Sequence, residues 1–154
     1  MDTKEPSAGN GPTAQVVDSV ATMLNRQTES TIKGWLGRVN ADENLSAIEL
    51  DDKTRSCHLP QLFKELVHRL RFPGPLCTKA PSSRSANEHG LTRRKQGYSA
   101  AMLVEESRIL QVSIFDILHK NQQRLDLGTL LADVMVIADE VDLQLAEAMT
   151  SFVG

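Results

Sequence analysis

Aromatic side chains are scarce in this sequence: they make up 4% of its 154 residues, so we expect an aliphatic hydrophobic core. No stretch approaches the roughly 18 consecutive apolar residues that are typical of a transmembrane helix. The two cysteines, Cys57 and Cys77, match no metal-site spacing; reduced thiols in a cytoplasmic protein are expected, and a disulfide is the alternative. Residues 1–12 lack the apolar segment of a signal peptide, so we expect a disordered leader there.

Motifs of the common enzyme classes are also missing. There is no glycine-rich phosphate loop, no dinucleotide-binding turn and no serine nucleophile elbow. None of the four histidines has a second histidine four residues away, the spacing at which a helix presents two metal ligands. The net charge of −3 argues against a general nucleic-acid-binding protein. We therefore expect no catalytic residues, no metal site and no nucleic-acid partner.

The sequence does contain a series of helical patterns. From Ala100 to Leu118 there is no proline or glycine, and apolar residues recur at helical spacing, which predicts a central helix that starts after the N-cap Ser99. Further helices are expected after Pro12, after Thr28 or Ser30, from Pro60 and after Asp126. We predict an all-α fold for residues 13–154, a compact bundle of about five to six helices in which a globin-like arrangement is one option.

Three glycines stand near aromatic residues of this pattern. Gly34 and Gly37 flank Trp35 and weaken the helix that carries it, so their expected use is to let a neighbouring helix come close. Gly97 precedes Tyr98 and is expected to end a helix, with a positive φ or a close backbone contact.

The segment before the central helix holds the strongest candidates for a site. His89, Arg93 and Gly97 recur every four residues and would share one face of a helix. Glu106 lies on the most apolar stripe of the central helix, where an unpaired charge would be costly. We therefore expect Glu106 to be partly buried and bonded to His89, Arg93 or Arg94.

Haem binding is an alternative role for His89. A histidine about two-thirds along a helical chain, followed by two long helices, is the layout of a globin with its axial ligand. Against this stand the basic residues Arg93 and Arg94 and the scarcity of the aromatic residues that usually hold haem. The other interpretation is a hydrogen bond from His89 to a carboxylate or backbone group.

The last predicted helix has a heptad-like seam. Its apolar residues are Leu127, Leu131, Val134, Ala138, Val141, Leu145, Ala148 and Phe152. No Lys or Arg occurs between Asp126 and Gly154, so the acidic residues face either water or a basic surface elsewhere. We expect the Leu131, Val134 and Val141 side to pack on the domain itself. The end with Leu145, Ala148 and Phe152 would then pair with a second subunit and lead to an output domain.

Several of these residues, in this order, resemble a known family. His58-Leu59-Pro60-Gln61-Leu62, then His89, Arg93 and Gly97-Tyr98, then Leu103, Glu106 and Leu110, together with Trp35, look like the N-terminal domain family of RsbRD, an RsbT co-antagonist. The resemblance extends from about Val16 to Phe152. The family often has an arginine where this chain has Gln111, so an ion pair built on that position is absent here.

The resemblance implies an all-helical sensory or regulatory input domain placed before an output domain, such as a histidine kinase or a stressosome STAS domain. Its structural or ligand-sensing candidates are Trp35, His58, His89, Arg93, Gly97, Tyr98 and Glu106. We predict a non-catalytic cytoplasmic domain without a cofactor that forms a homodimer and relays a signal through its last helix to a downstream partner. The alternative is a haem-binding, globin-like gas sensor.

Overall fold

The structure is a computed structural model that describes residues 17–78 and 83–154. Over these residues the chain forms eight α-helices and one short 3-10 turn, without a β-strand. The helices are α1 (Val20–Arg26), α2 (Thr28–Ala41), α3 (Glu43–Ser46), α4 (Asp52–Ser56), α5 (Leu59–Arg71), α6 (Arg84–Lys95), α7 (Ala100–Lys120) and α8 (Leu127–Val153). The predicted all-α bundle is thereby confirmed, whereas the globin-like arrangement stays a prediction.

Side-chain caps fix the starts of most helices. Ser99 accepts a hydrogen bond from the Met102 N–H at the start of α7, and Asp126 accepts one from Gly128 at the start of α8, as predicted. Ser19 caps α1 in the same way, so this helix begins at Val20. The prediction of a helix that begins soon after Pro12 is therefore wrong at Val17, because this residue precedes the N-cap and is not helical. The predicted leader, residues 1–12, lies outside the described residues.

The long helix α7 packs against α1, α2, α3 and α8, which agrees with its predicted central place. One face is buried through Leu103, Leu110, Ile114 and Leu118. The opposite stripe is not: Val112 is 49% exposed, so α7 is covered on only part of its circumference. Most of the core is aliphatic, as the composition predicts, and Trp35 is its largest fully buried side chain.

Two short helices, α3 and α4, lie between α2 and α5. Asp42 caps α3 and Asp51 caps α4 through their carboxylates. This path carries Arg55, at the end of α4, into the interior, where it is 1% exposed. No hydrophobic periodicity marks such a residue, so the sequence analysis missed it.

The last helix agrees with the prediction only in its middle: Val134 and Val141 pack on the domain as expected, whereas its start is exposed and its end is packed. Leu131 is 73% exposed and does not hold α8 to the domain. Val141 and Ala148 are buried, and Phe152 packs partly buried against the core. The prediction that Leu145, Ala148 and Phe152 form a free end is therefore wrong, because this end lies against α6.

The contact between α6 and α8 depends on Gly90. A Cβ atom on Gly90 would lie 2.0 Å from the carbonyl oxygen of Ala148 and 2.3 Å from the Ser151 Oγ, so only glycine fits there. The close approach assigned to Gly34 and Gly37 is wrong. A Cβ on Gly37 would have no atom within 4 Å, and one on Gly34 would meet only a side chain of its own helix.

No helix in the described part of the chain is long and apolar enough to cross a membrane.

Candidate functional site

A group of polar side chains, the polar cluster, lies inside the bundle. It consists of Arg55, His58, His89, Arg93, Tyr98 and Glu106. Glu106 of α7 is only 3% exposed, and its Oε1 accepts hydrogen bonds from His89 Nε2 at 2.8 Å and from Arg93 Nε at 3.0 Å. His89 and Arg93 share a face of α6, so the predicted link between the two helices through Glu106 is confirmed.

The surroundings of Glu106 keep its carboxylate ionised. Burial alone would raise its pKa, but the hydrogen bond from His89 and the charge of Arg93 outweigh burial and hold the pKa below its usual value. An ionised carboxylate only accepts hydrogen bonds, so His89 carries its proton on Nε2. The pair is therefore a charge-assisted contact in the interior.

His58 covers the face of His89. The two imidazole rings stack with their centroids 3.7 Å apart and their planes 14° apart. The edge of His58 also meets Trp35, whose indole Nε1 donates a hydrogen bond to the backbone oxygen of Glu106 at 3.1 Å. Burial, and after it the nearby charges of His89 and Arg93, hold the pKa of His58 well below 6.5, so its ring is neutral.

This depressed pKa predicts a loss of stability in mild acid. Below about pH 6.5 the unfolded chain binds a proton at His58 that the folded protein does not bind, so acid favours unfolding. We expect the free energy of unfolding to fall by up to about 1.4 kcal/mol per pH unit from this residue, starting below pH 6.5. The Glu106 carboxylate adds to the loss only below about pH 4.5. Urea titrations between pH 7 and about pH 5 measure the slope, and it should become shallower in His58→Phe. An equal slope in both proteins would contradict the assignment.

Each nitrogen of the Arg93 guanidinium donates a hydrogen bond. Its Nη1 donates to Gln96 Oε1 at 2.8 Å and its Nη2 to the Arg55 backbone oxygen at 2.6 Å, while its guanidinium lies 4.7 Å from the Tyr98 ring centroid. Arg55 in turn donates to the Tyr98 hydroxyl at 2.8 Å. Burial, and then the Glu106 charge, raise the pKa of Tyr98 to about 12, so this hydroxyl keeps its proton.

Gly97 positions Tyr98 for these contacts. Its φ of +90° is confirmed as positive, and the Tyr98 N–H bonds the Arg93 oxygen while the Gly97 N–H bonds the Arg94 oxygen. These two bonds form a Schellman motif, which ends α6 and turns the chain at a residue that favours glycine. Gly97 therefore lies just beyond α6 and does not share its face with His89 and Arg93.

A narrow cavity of about 40 Å³ lies beside the polar cluster. His58, His89 and Glu106 belong to its wall, and aliphatic residues of α5 and α7 form much of the rest. The helix α8 contributes Val141, Gln144, Leu145 and Ala148. The lining of the cavity is thus polar at the end with the two histidines and Glu106 and apolar elsewhere, and α8 forms one of its walls.

The outer side of this wall is held by a second polar network. Arg69 of α5 pairs with Asp139 at 2.6 Å and with Glu140 at 2.9 Å. Gln144 donates to Glu140 at 3.1 Å and also to Glu65. Asp139 and Glu140 of α8 therefore meet an arginine of α5, whereas Asp142 is exposed and accepts a hydrogen bond from Gln111 Nε2 at 3.2 Å. The role of Gln144 was not predicted, because a polar residue between two apolar seam positions is usually exposed to solvent.

The described geometry does not suit a metal ion or haem without rearrangement. Ligand atoms of His58, His89 and Glu106 all lie within 4.8 Å of one another. However, lone pairs lie in the ring planes, and the nearly parallel planes of the two histidines do not converge on one ion. A haem iron at His89 Nε2 would have to displace Glu106. Haem stays the alternative prediction, which an absorption spectrum of the purified protein tests.

Six of the seven candidate residues thus come together, and the seventh, Gly97, sets the turn that places Tyr98. Comparison with known proteins adds no name to the site, since no family model, curated protein or solved structure matches the chain. The resemblance to the RsbRD N-terminal domain family stays a prediction that rests on the residues quoted for it.

Proposed function

We propose that this chain is a non-catalytic regulatory input domain that detects a small ligand in the cavity and relays its presence through α8. The observation that carries the proposal is the shared wall: the cavity that touches His58, His89 and Glu106 also touches Val141 and Leu145 of α8. A ligand there would contact the polar cluster and the relay helix at once.

The relay would act through packing. The end of α8 rests on α6 where Gly90 meets Ala148, and α6 is tied to α7 through Glu106. Close-packed helices shift between discrete arrangements, and a ligand biases them only by binding one arrangement more tightly than the other. The resemblance to the RsbRD N-terminal domain family supports the same role. Under this proposal the receiver is a cytoplasmic output domain or protein, such as a histidine kinase or a STAS domain.

Filling the cavity from within should alter α8. Ser107 of α7 lines the cavity and is half-buried, so Ser107→Leu would occupy part of it as a ligand does. We expect backbone amide exchange in residues 141–148 to change by about tenfold, measured by hydrogen–deuterium exchange with mass spectrometry. The matched control is Arg108→Leu, at an exposed neighbouring position of the same helix, which should leave that exchange unchanged. Identical exchange in both variants and the wild type would refute the relay.

Homodimerisation is the second part of the proposal, and we infer that its surface lies at the start of α8. Leu127, Leu131 and Met135 recur every four residues and are 68%, 73% and 51% exposed, so they form one apolar stripe. If two copies of the chain packed these stripes against each other, the apolar side chains that are exposed in one copy would be buried.

We expect the wild type to sediment as a concentration-dependent dimer and Leu131→Asp/Met135→Asp to sediment as a monomer at the same concentrations. Val104→Asp, at an exposed apolar position of α7, is the matched control and should leave the dimer intact. A wild type that stays monomeric at high concentration, or a dimer that survives the double substitution, would exclude this surface.

A further inference from the structure

One oxygen of the polar cluster lacks a partner. Both side-chain hydrogen bonds to Glu106 end on Oε1, whereas Oε2 is buried without any hydrogen-bond partner among the described residues. Glu106 belongs to the cavity wall and is ionised. Because a buried carboxylate oxygen is costly to leave unpaired, the cavity is suited to a molecule that donates a hydrogen bond to Oε2.

The charges around the cavity favour an uncharged donor. Arg55 and Arg93 are each 1% exposed, and within residues 17–78 and 83–154 Glu106 is the only carboxylate that pairs with either of them. The buried charge at this end is already positive, so a cation would add repulsion without a second carboxylate to meet it. An anion would instead face the unpaired Oε2. A neutral hydroxyl avoids both penalties.

The shape of the cavity limits the size of the molecule. A volume of about 40 Å³ is room for roughly three water molecules. Leu59, Leu103 and Val141 are buried in its wall and favour a short hydrocarbon body. Leu62 and Leu145 also belong to the wall and are half-buried.

We propose that the cavity binds a small uncharged amphiphile with one hydrogen-bond donor, of the class of short-chain primary alcohols, and that Glu106 Oε2 accepts its hydroxyl proton in a hydrogen bond. This assignment rests on the proposed function, since it names the ligand class of the same cavity. It also explains why an ionised carboxylate lies at the end of an apolar cavity with one oxygen hydrogen-bonded and the other unpaired.

Two other partners for Oε2 are physically reasonable. The Tyr98 hydroxyl lies close enough for the charge of Glu106, and a smaller hydrogen-bonding contribution from it, to raise the pKa of Tyr98, but the distance and angles of a formed hydrogen bond to Oε2 are not met among the described residues. A divalent cation held by His58, His89 and Glu106 would require both rings to turn out of their stack and Arg93 to yield the carboxylate. Either partner would remove the preference for a neutral donor.

The test compares two isomers that differ in the donor. Ethanol and dimethyl ether have the same formula and three heavy atoms each, but only the alcohol donates a hydrogen bond. Titration of each into the wild-type protein is followed by NMR of the Leu59, Leu103 and Val141 methyl groups. We expect saturable shifts for ethanol with a dissociation constant on the order of 10 mM, and at least about tenfold weaker binding of the ether. Ethylammonium and Zn²⁺, as charged probes, should not displace the alcohol.

Glu106→Gln provides the decisive variant. Its amide can keep an oxygen toward Arg93 and present an N–H in place of Oε2, so the site becomes a donor. The ether then binds as well as the alcohol, and the tenfold preference disappears while both probes still bind. The proposal is overturned by no saturable shift in the wild type, by equal binding of the isomers there, by displacement with Zn²⁺, or by a preference that survives in Glu106→Gln. Alcohol binding that leaves amide exchange in α8 unchanged would instead uphold the ligand class and refute the relay.

Discussion

Replacing Glu106 by alanine should lower the free energy of unfolding by about 3–5 kcal/mol. The substitution removes the carboxylate that pairs with Arg93 in the described part of the chain. Arg93 is 1% exposed, so its positive charge would remain in the interior without that counter-charge. It also leaves the His89 Nε2 proton without its acceptor and opens space beside Trp35. Urea or thermal unfolding of the purified proteins measures the loss.

Two comparisons isolate the buried charge as the cause. Glu105→Ala removes a half-exposed glutamate of the same helix whose partner Arg108 is largely exposed, and it should cost less than about 1 kcal/mol. Adding Arg93→Met to Glu106→Ala removes the stranded charge, so the double variant should be more stable than Glu106→Ala alone. A Glu106→Ala protein as stable as Glu105→Ala would show that water reaches Arg93 and that the cluster is not a dry ion pair.

The contact between α6 and α7 could be predicted because its signals are local. His89 and Arg93 are four residues apart, and a glutamate on an apolar stripe needs a basic partner. The Ser99 cap and the glycine turn at Gly97 fix the chain direction between the two helices. The short spacings, and the need of a buried glutamate for a basic partner, were therefore enough to predict that these groups lie together.

Contacts between distant segments could not be predicted in the same way. Arg55 lies in a polar stretch, and its burial depends on two capped turns whose packing follows from the whole bundle. The apolar seam of α8 predicts that the helix packs but not along which part, since Leu131 and Val141 look equivalent in sequence. The close contact that fixes the end of α8, between Gly90 of α6 and Ala148, joins segments more than fifty residues apart, so no local pattern predicts it.

Gly90→Ala should strongly destabilise the fold, although it adds only one methyl group. The added Cβ would lie 2.0 Å from the Ala148 carbonyl oxygen, and a backbone atom cannot turn aside as a side chain can. The end of α8 would have to move away from α6, which would also expose Ala148 and stretch the hydrogen bond from Ser151 Oγ to the Asn87 oxygen. We expect a loss of about 3 kcal/mol or more, measured by urea unfolding, even though alanine is the better helix former by about 1 kcal/mol.

Gly37→Ala supplies the opposite expectation from the same chemical change. Gly37 lies inside α2, and an added Cβ there would have no atom within 4 Å, so alanine brings its helix propensity without a clash. Stability should rise by about 0.5–1 kcal/mol. If helix propensity alone determined stability, both Gly37→Ala and Gly90→Ala would be stabilising. A loss of stability in Gly90→Ala together with a gain in Gly37→Ala would therefore identify the tertiary contact of Gly90 as the cause. If Gly90→Ala were as stable as Gly37→Ala, the end of α8 would not rest on α6, and the wall that α8 gives the cavity would be lost with that contact.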